Sequence, residues 1–208
     1  LNGKRKPAKP KSGKGGNSWE DHYSRQAKED GYPARSVYKL QEIQRKFTLI
    51  KKNDKVLDLG CSPGSWLMYA AERAGAGGRV IGIDLKPVTA KLPTQALALV
   101  GDILEPDPAW DEHLAPGFQV VLSDMAPATT GMKDVDAIRS LELCNMALDL
   151  AERVLTPGGS FVCKIFQGGD IKTFTDRVRL VFDQQKMFKP ESCRKQSKEI
   201  YIIGTGKK

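Results

Sequence analysis

Short apolar runs that each close on a small or acidic residue, with helical stretches between them, constrain this chain more than any other feature. Residues 55–59 form the first run and lead into a glycine-bearing turn, Gly60 to Gly64, and then a helical stretch to about residue 74. Residues 79–83 form the second and end at Asp84; 96–100 form the third and end before Gly101-Asp102. Residues 119–122 form the fourth and end at Ser123-Asp124-Met125-Ala126-Pro127. A helical pattern over 135–154 is broken by Pro157-Gly158-Gly159, and a fifth strand over 160–165 and a helix over 171–182 follow. Two β segments, 187–189 and 199–204, are expected at the end, joined by a polar loop rich in Arg and Lys. Before all of these, apolar residues at three- and four-residue spacing predict an amphipathic helix over 34–47. Apolar strands separated by helices point to an α/β domain with a parallel sheet covered on both faces. Ligands of such sheets bind beyond the carboxyl ends of the strands, which is where the acidic residues fall.

The first turn has its own chemistry. Glycines at positions 60 and 64 allow a sharp turn and close approach of a ligand to backbone. The helix start behind them favours an anionic group such as a carboxylate. Ser62-Pro63 breaks the spacing of a dinucleotide-binding turn, and Pro63 lacks a donor that a phosphate would use. Asp84 is placed to accept both hydroxyls of an adenosine ribose, and Asp102 to accept an adenine amino group. Strand-end aspartates also serve as helix caps, but three successive strands ending this way behind a glycine turn favour a nucleoside site. From this portion alone a nicotinamide-dependent dehydrogenase stays open, although it leaves Ser123–Pro127 and the later Lys and Glu without a role.

Composition narrows the partners. The chain has 208 residues and a formal net charge of +8, and its first 17 residues carry Lys4, Arg5, Lys6, Lys9, Lys11 and Lys14 with no acid. Residues 1–17 therefore read as a disordered basic tail, either solubilising or a mobile arm that finds phosphates, and 18–208 as one domain. The rest is nearly neutral, so a nucleic-acid surface there must be a local patch. No apolar run approaches the roughly 20 residues of a membrane span, and no secretory leader is evident. Cys61, Cys144, Cys163 and Cys193 are widely spaced and joined by only two histidines, so no metal site is expected and the thiols read as reduced, in a cytoplasmic protein.

Four residues remain that a fold could bring together. Lys39 lies on the first helix, Asp124 at the end of the fourth strand, Lys164 in the fifth and Glu199 at the start of the last β segment. An apolar strand such as Gly159-Ser160-Phe161-Val162-Cys163-Lys164-Ile165-Phe166 does not hold a lysine without a partner, because burying a lone ammonium is costly. Here the chain resembles the RrmJ/FtsJ-type ribosomal RNA 2′-O-methyltransferases. The residues that carry the likeness are Ser36-Val37-Tyr38-Lys39-Leu40, Asp58-Leu59-Gly60-Cys61-Ser62-Pro63-Gly64-Ser65-Trp66, Ser123-Asp124-Met125-Ala126-Pro127, Pro157 to Gly168, and Ser197-Lys198-Glu199-Ile200-Tyr201.

The resemblance implies a Rossmann-like class I methyltransferase fold: a doubly wound, mostly parallel seven-stranded sheet with its last strand antiparallel. It implies S-adenosylmethionine as cofactor, held by Gly60, Ser62, Pro63, Gly64, Trp66, Asp84, Leu85, Asp102, Ile103 and Asp124. It also makes Lys39, Asp124, Lys164 and Glu199 a catalytic Lys-Asp-Lys-Glu tetrad. Cys61-Ser62 and Ser65 depart from the small residues common in the family but keep their volume. Lys164 is expected to remove or orient the 2′-proton, supported by Asp124, while Lys39 and Glu199 hold the ribose. Arg35, Arg45 and Lys46 near the first helix, with Lys189, Arg194, Lys195 and Lys198 around Glu199, are the expected RNA contacts. The implied substrate is a uridine of large-subunit (23S) ribosomal RNA, naked or in the subunit, met by a monomer. An mRNA cap or tRNA 2′-O-methyltransferase, and a non-catalytic RNA-binding assembly factor, remain as alternatives.

Overall fold

Seven strands form one sheet in the order β3-β2-β1-β4-β5-β7-β6 in the computed structural model, which describes residues 18–105, 107–168, 171–194 and 196–208, with side chains from residue 22. The tail over 1–17 and Lys195 lie outside the described residues. In chain order the elements are α1 Ser18–Glu29, α2 Val37–Phe47, β1 Lys55–Leu59, α3 Ser65–Ala74, β2 Arg79–Asp84 and β3 Ala96–Val100. A short 3-10 turn, Pro108–Trp110, precedes β4 Phe118–Ser123, α4 Lys133–Val154, β5 Leu155–Phe166, α5 Ile171–Val181, β6 Phe182–Phe188 and β7 Glu199–Lys207. β1 to β5 run parallel, and β7 inserts antiparallel between β5 and β6. The expected α/β class and the seven-stranded sheet with its antiparallel last strand are what the structure contains.

The two-residue period of the strands splits the core in two. Leu57, Leu59, Ile81, Val121, Phe161, Cys163 and Ile165 pack against Cys144, Ala147, Leu148 and Ala151 of α4 and Phe174 and Val178 of α5. Val56, Val80, Val120, Leu122, Val162 and Tyr201 pack on the opposite side against Leu40 and Ile43 of α2 and Trp66, Leu67, Ala70 and Ala71 of α3. Both faces are covered, which is why the central strands are mostly apolar.

The element boundaries differ from expectation where chemistry other than apolar period decides them. α1 was not expected: its sequence is polar nearly all round, and it is fixed by Ala27 and Tyr23 packing on Tyr32, Val37 and Tyr38. The helix expected from residue 34 begins at Val37, because the backbone before it is tied to α3. Ser65 Oγ accepts from the Ala34 amide at 2.8 Å and donates to its carbonyl at 3.0 Å, and Trp66 Nε1 donates to the Ser36 carbonyl at 2.8 Å. β5 starts at Leu155 instead of 160: Leu155 pairs with Phe118 ahead of a register shift, so the Pro157-Gly158-Gly159 break is a bulge within the strand. β6 covers 182–188, not 187–189; as an edge strand it exposes polar residues that hide its alternation.

Candidate active site

The glycine turn leaves β1 at the carboxyl edge of the sheet. Gly60 has φ 80°, and a side-chain carbon there would meet the Met125 backbone at 3.0 Å, so the crossing of the two chain segments requires glycine. Gly64 has φ 113° and starts α3. Asp84 braces this loop: its carboxylate accepts from the Ser62 amide and from the Lys86 amide, both at 2.9 Å. Asp102 accepts from the Leu104 amide at 2.9 Å. Each carboxylate still has acceptor positions to spare, since two oxygens offer about four lone pairs.

Between these residues lies a cleft with about 470 Å³ of empty space, lined by Gly60, Asp84, Leu85, Asp102, Ile103 and Met125 among others. Sequence placed Gly60, Asp84, Leu85, Asp102 and Ile103 here, and the structure brings the five together. Ser62, Pro63 and Gly64 form the loop beside it. Trp66 does not face this space: its indole is buried among α3, the sheet and Tyr201, with ring centroids 5.8 Å apart.

An orphaned group lies behind the turn. Asp58 on β1 is fully buried, and neither carboxylate oxygen has a hydrogen-bond partner among the described residues. Burial first, then the Asp124 and Asp84 carboxylates, hold its carboxyl well above the usual range. A cationic ligand group near three carboxylates would relieve that repulsion. Two further carboxylates facing an apolar cleft, with a glycine turn that leaves room for close approach, suit a nucleoside carrying an amino-acid moiety and a positive charge.

The four residues expected to act together do meet, as two ion pairs. Lys164 Nζ lies 3.0 Å from Asp124 Oδ1 and donates to the Asp124 carbonyl at 2.6 Å. Lys39 Nζ lies 2.8 Å from Glu199 Oε1. The sheet register explains the grouping: Lys164 pairs with Tyr201 and Phe166 with Glu199, so Lys164 and Glu199 project on one face of the β5–β7 pair, beneath α2, which supplies Lys39. Asp124 follows β4, and its amide donates to the Leu59 carbonyl at 3.1 Å, which fixes it beside the glycine turn. Burial alone would lower the Lys39 ammonium, but Asp124 and Glu199 outweigh it and hold its pKa above the ordinary lysine value. Lys39 is therefore charged at neutral pH.

Three residues of this site carried no role in the sequence reading. Tyr201 donates its phenol to Asp124 Oδ1 at 2.7 Å, so Asp124 is clasped between Tyr201 and Lys164. Burial, with Asp124 next, keeps that phenol well above its usual value, hence protonated and a donor. Cys193 sits beside Lys39 and Glu199; burial and then Glu199 push its thiol up to about 12, so it is a neutral neighbour. Glu42 of α2 accepts from the Glu191 and Ser192 amides at 2.6 and 2.9 Å and pins the β6–β7 connection to the helix that carries Lys39. Only Tyr201 had a visible signal, a lone aromatic two residues past Glu199 on the same strand face.

The basic residues fall on one side through that connection. Arg45 and Lys46 are exposed on α2, and Lys189, Arg194 and Lys198 are exposed between β6 and β7, with Arg35 half-buried before α2. Lys46 Nζ lies 4.4 Å over the Phe188 ring, a second tie between the two segments. No group of three or more His, Cys, Asp or Glu that could hold a metal ion is found among the described residues, and the four cysteines are free.

The model of the FtsJ-like methyltransferase family matches residues 32–207 of the chain. A ribosomal RNA large subunit methyltransferase E of Desulforapulum autotrophicum is 58% identical over 192 residues, covering 92% of this chain and 95% of its own. The protein of the same name from Desulfosudis oleivorans is 56% identical over 194 residues, covering 93% of each. A crystal structure described as a ribosomal RNA methyltransferase from Plasmodium falciparum superposes with a TM-score of 0.73 at 28% identity, over 85% of this chain and 98% of that one. With the glycine-turn cleft and the paired Lys-Asp and Lys-Glu groups in place, and with a family model that spans nearly all of the described chain, the protein belongs to the FtsJ-like methyltransferase family.

Proposed function

We propose that the protein is an S-adenosylmethionine-dependent ribose 2′-O-methyltransferase whose substrate is a uridine of large-subunit ribosomal RNA, acting in the cytoplasm. One observation carries the reading: two ion pairs, Lys164–Asp124 at 3.0 Å and Lys39–Glu199 at 2.8 Å, stand beside the cleft bounded by Asp84 and Asp102, joined to it through Met125 and Ala126, which follow Asp124 and line it. The named relatives support ribosomal RNA of the large subunit as the substrate class.

The nucleoside part of the cofactor is held by Asp84 at the ribose and Asp102 at the adenine, with Leu85 and Ile103 against the base. Gly60 lines the space for its amino-acid part, and Asp124 faces its positive charge. Bound there, the cofactor supplies a sulfonium methyl, an electrophile that departs from a neutral thioether.

A ribose 2′-hydroxyl is a poor nucleophile, so alignment and proton handling are what the protein must provide. Lys39 stays charged and salt-bridged, which suits it to holding the ribose oxygens together with Glu199. Lys164 is left to remove or orient the 2′-proton, with its Nζ aimed by the carboxylate and carbonyl of Asp124. Tyr201 keeps the Asp124 carboxylate in that position. Phosphates on either side of the target meet Arg45, Lys46, Lys189, Arg194 and Lys198, which position the strand without reading its sequence.

The test is methyl transfer from labelled S-adenosylmethionine to large-subunit RNA that lacks its ribose methyl groups. A 2′-O-methylated product leaves an alkali-resistant dinucleotide, because the blocked hydroxyl cannot attack its own phosphodiester. Label recovered on a base, or on protein alone, would defeat the proposal.

A further inference from the structure

A second hollow opens beside the tetrad and shares no lining residue with the cofactor cleft. It holds about 540 Å³ of open space and is lined by Lys133 and Asp136 of α4, Phe166 and Gln167 at the end of β5, and Ser197 and Lys198 before β7. Phe166 pairs with Glu199 across the sheet and lies two residues past Lys164 on the same strand face, about 7 Å along the strand. In a nucleotide the base hangs from the carbon next to the one that bears the 2′-hydroxyl. A ribose held by Lys39, Lys164 and Glu199 therefore carries its base into the neighbourhood of Phe166.

The walls are rigid where a base would rest and open where its edge would be read. The Phe166 amide donates to Ser140 Oγ at 3.1 Å, and the Gln167 amide donates to the Lys198 carbonyl at 2.8 Å, so both backbones are fixed. The Phe166 ring is half-buried, and the exposed Gln167 side chain makes no hydrogen bond among the described residues. The carboxylate in the lining is already engaged: Asp136 accepts from the Thr130 amide at 2.7 Å, from the Thr130 hydroxyl at 2.9 Å and from the Gly131 amide at 3.2 Å. Among the described residues, what remains free to meet a ligand edge is the Gln167 amide and the ammonium groups of Lys133 and Lys198, a lining richer in donors than in acceptors.

We propose that this hollow is the base subsite of the methylated nucleotide, with Phe166 as the platform on which the base stacks and Gln167 as the residue that reads its edge. The two bases differ at the 4-position, where uracil presents a carbonyl and cytosine an amino group, so an ammonium or the Gln167 NH2 aimed at that position favours uracil, whereas N3 has the opposite preference. Stacking on an aromatic ring is indifferent to the identity of the base, so Phe166 contributes affinity and Gln167 selectivity. The inference rests on ribose methylation at the tetrad.

The experiment uses the full chain and large-subunit RNA, naked and in assembled subunits, carrying either uridine or cytidine at the position that the wild-type protein methylates. Phe166→Leu should raise KM for RNA about 5- to 150-fold, the worth of one stacked base, without changing S-adenosylhomocysteine affinity. Gln167→Glu replaces donor capacity by a carboxylate on an exposed side chain, and should lower the uridine-to-cytidine ratio of kcat/KM at least tenfold. If the wild type produces 2′-O-methyl groups and Gln167→Glu leaves that ratio within twofold, the base subsite is wrong while the proposed function stands. If the wild type puts no methyl on ribose, both fall together.

Discussion

Replacing Asp58 by asparagine probes the buried carboxyl behind the glycine turn. Neither oxygen has a partner among the described residues, and burial with two neighbouring carboxylates holds its pKa well above the ordinary value. In the unfolded chain the same group ionises near ~3.9. The native state therefore binds more protons than the unfolded state once the pH exceeds that value. The stability tied to this proton is complete at acidic pH and is lost as the pH climbs toward the folded pKa. One proton limits the slope to about 1.4 kcal/mol per pH unit, or up to about 2.7 kcal/mol between pH 5 and pH 7. Asparagine keeps the shape and cannot ionise, so this dependence vanishes and only a constant offset for an unpaired amide remains. Urea unfolding of the cofactor-free protein at pH 5, 6 and 7 reads the difference directly. Asp58→Asn should gain stability relative to the wild type as the pH rises. Two curves that stay parallel across this range would refute the reasoning, because they would mean that Asp58 is ionised and solvated in the fold.

The clasp on Asp124 predicts that Tyr201→Phe loses one charge-assisted hydrogen bond, about 1.5–3 kcal/mol, or about 3–12 °C in Tm by calorimetry; an unchanged melt and unchanged turnover would show that the phenol does nothing there. Asp84→Ala should weaken S-adenosylhomocysteine binding by about 10- to 100-fold in titration calorimetry, as one or two hydrogen bonds to a carboxylate are removed, and an unaltered Kd would take Asp84 out of the site. Lys164→Ala should reduce turnover at least a thousandfold, on the order of the upper range for a general acid–base group, with cofactor affinity within a few-fold. Its thermal unfolding must be read alongside, because breaking a buried pair costs about 3–5 kcal/mol. Arg194→Ala with Lys198→Ala should flatten the log–log salt dependence of RNA binding by about 0.7–0.9 for each phosphate no longer neutralised, leaving cofactor affinity untouched.

The sheet could be read from the sequence because its central strands are covered on both faces and so are mostly apolar, as in Val80, Ile81 and Ile83. Of the tetrad only Lys164 stands out by its surroundings, as a lysine within Phe161–Phe166; the roles of Lys39, Asp124 and Glu199 come from the resemblance to the RrmJ/FtsJ-type enzymes. Sequence could not supply what depends on cross-strand register. Tyr201 acquires its role only because it lies opposite Lys164, and Glu42 only because α2 lies against Glu191 and Ser192, about 150 residues away. α1 escaped notice for a related reason. Its one apolar stripe, Trp19, Tyr23 and Ala27 at four-residue spacing, is narrow in an otherwise polar stretch of 12 residues, and Tyr23 and Ala27 pack on residues that come after it, which makes the helical signal weak. Trp66 belongs to the shared motif as well, and in the fold its indole donates to the Ser36 carbonyl and packs in the core.

β7 is the last of the seven strands in chain order yet lies inside the sheet, hydrogen-bonded on both sides. A chain leaving the ribosome presents its N-terminal part first. Until residues 199–207 have emerged, β5 and β6 have no strand between them, and the apolar run Phe161–Ile165 borders a bare edge that can pair with a neighbouring nascent chain. Translation that stops within the codons of this strand therefore does not trim the margin of the molecule. It opens the sheet one strand in from its edge and takes Tyr201 from Asp124 and, where residue 199 is missing, Glu199 from Lys39. Such products are substrates for chaperones and proteases rather than weak enzymes, and frameshifts that fall in or just before these codons should behave as null alleles.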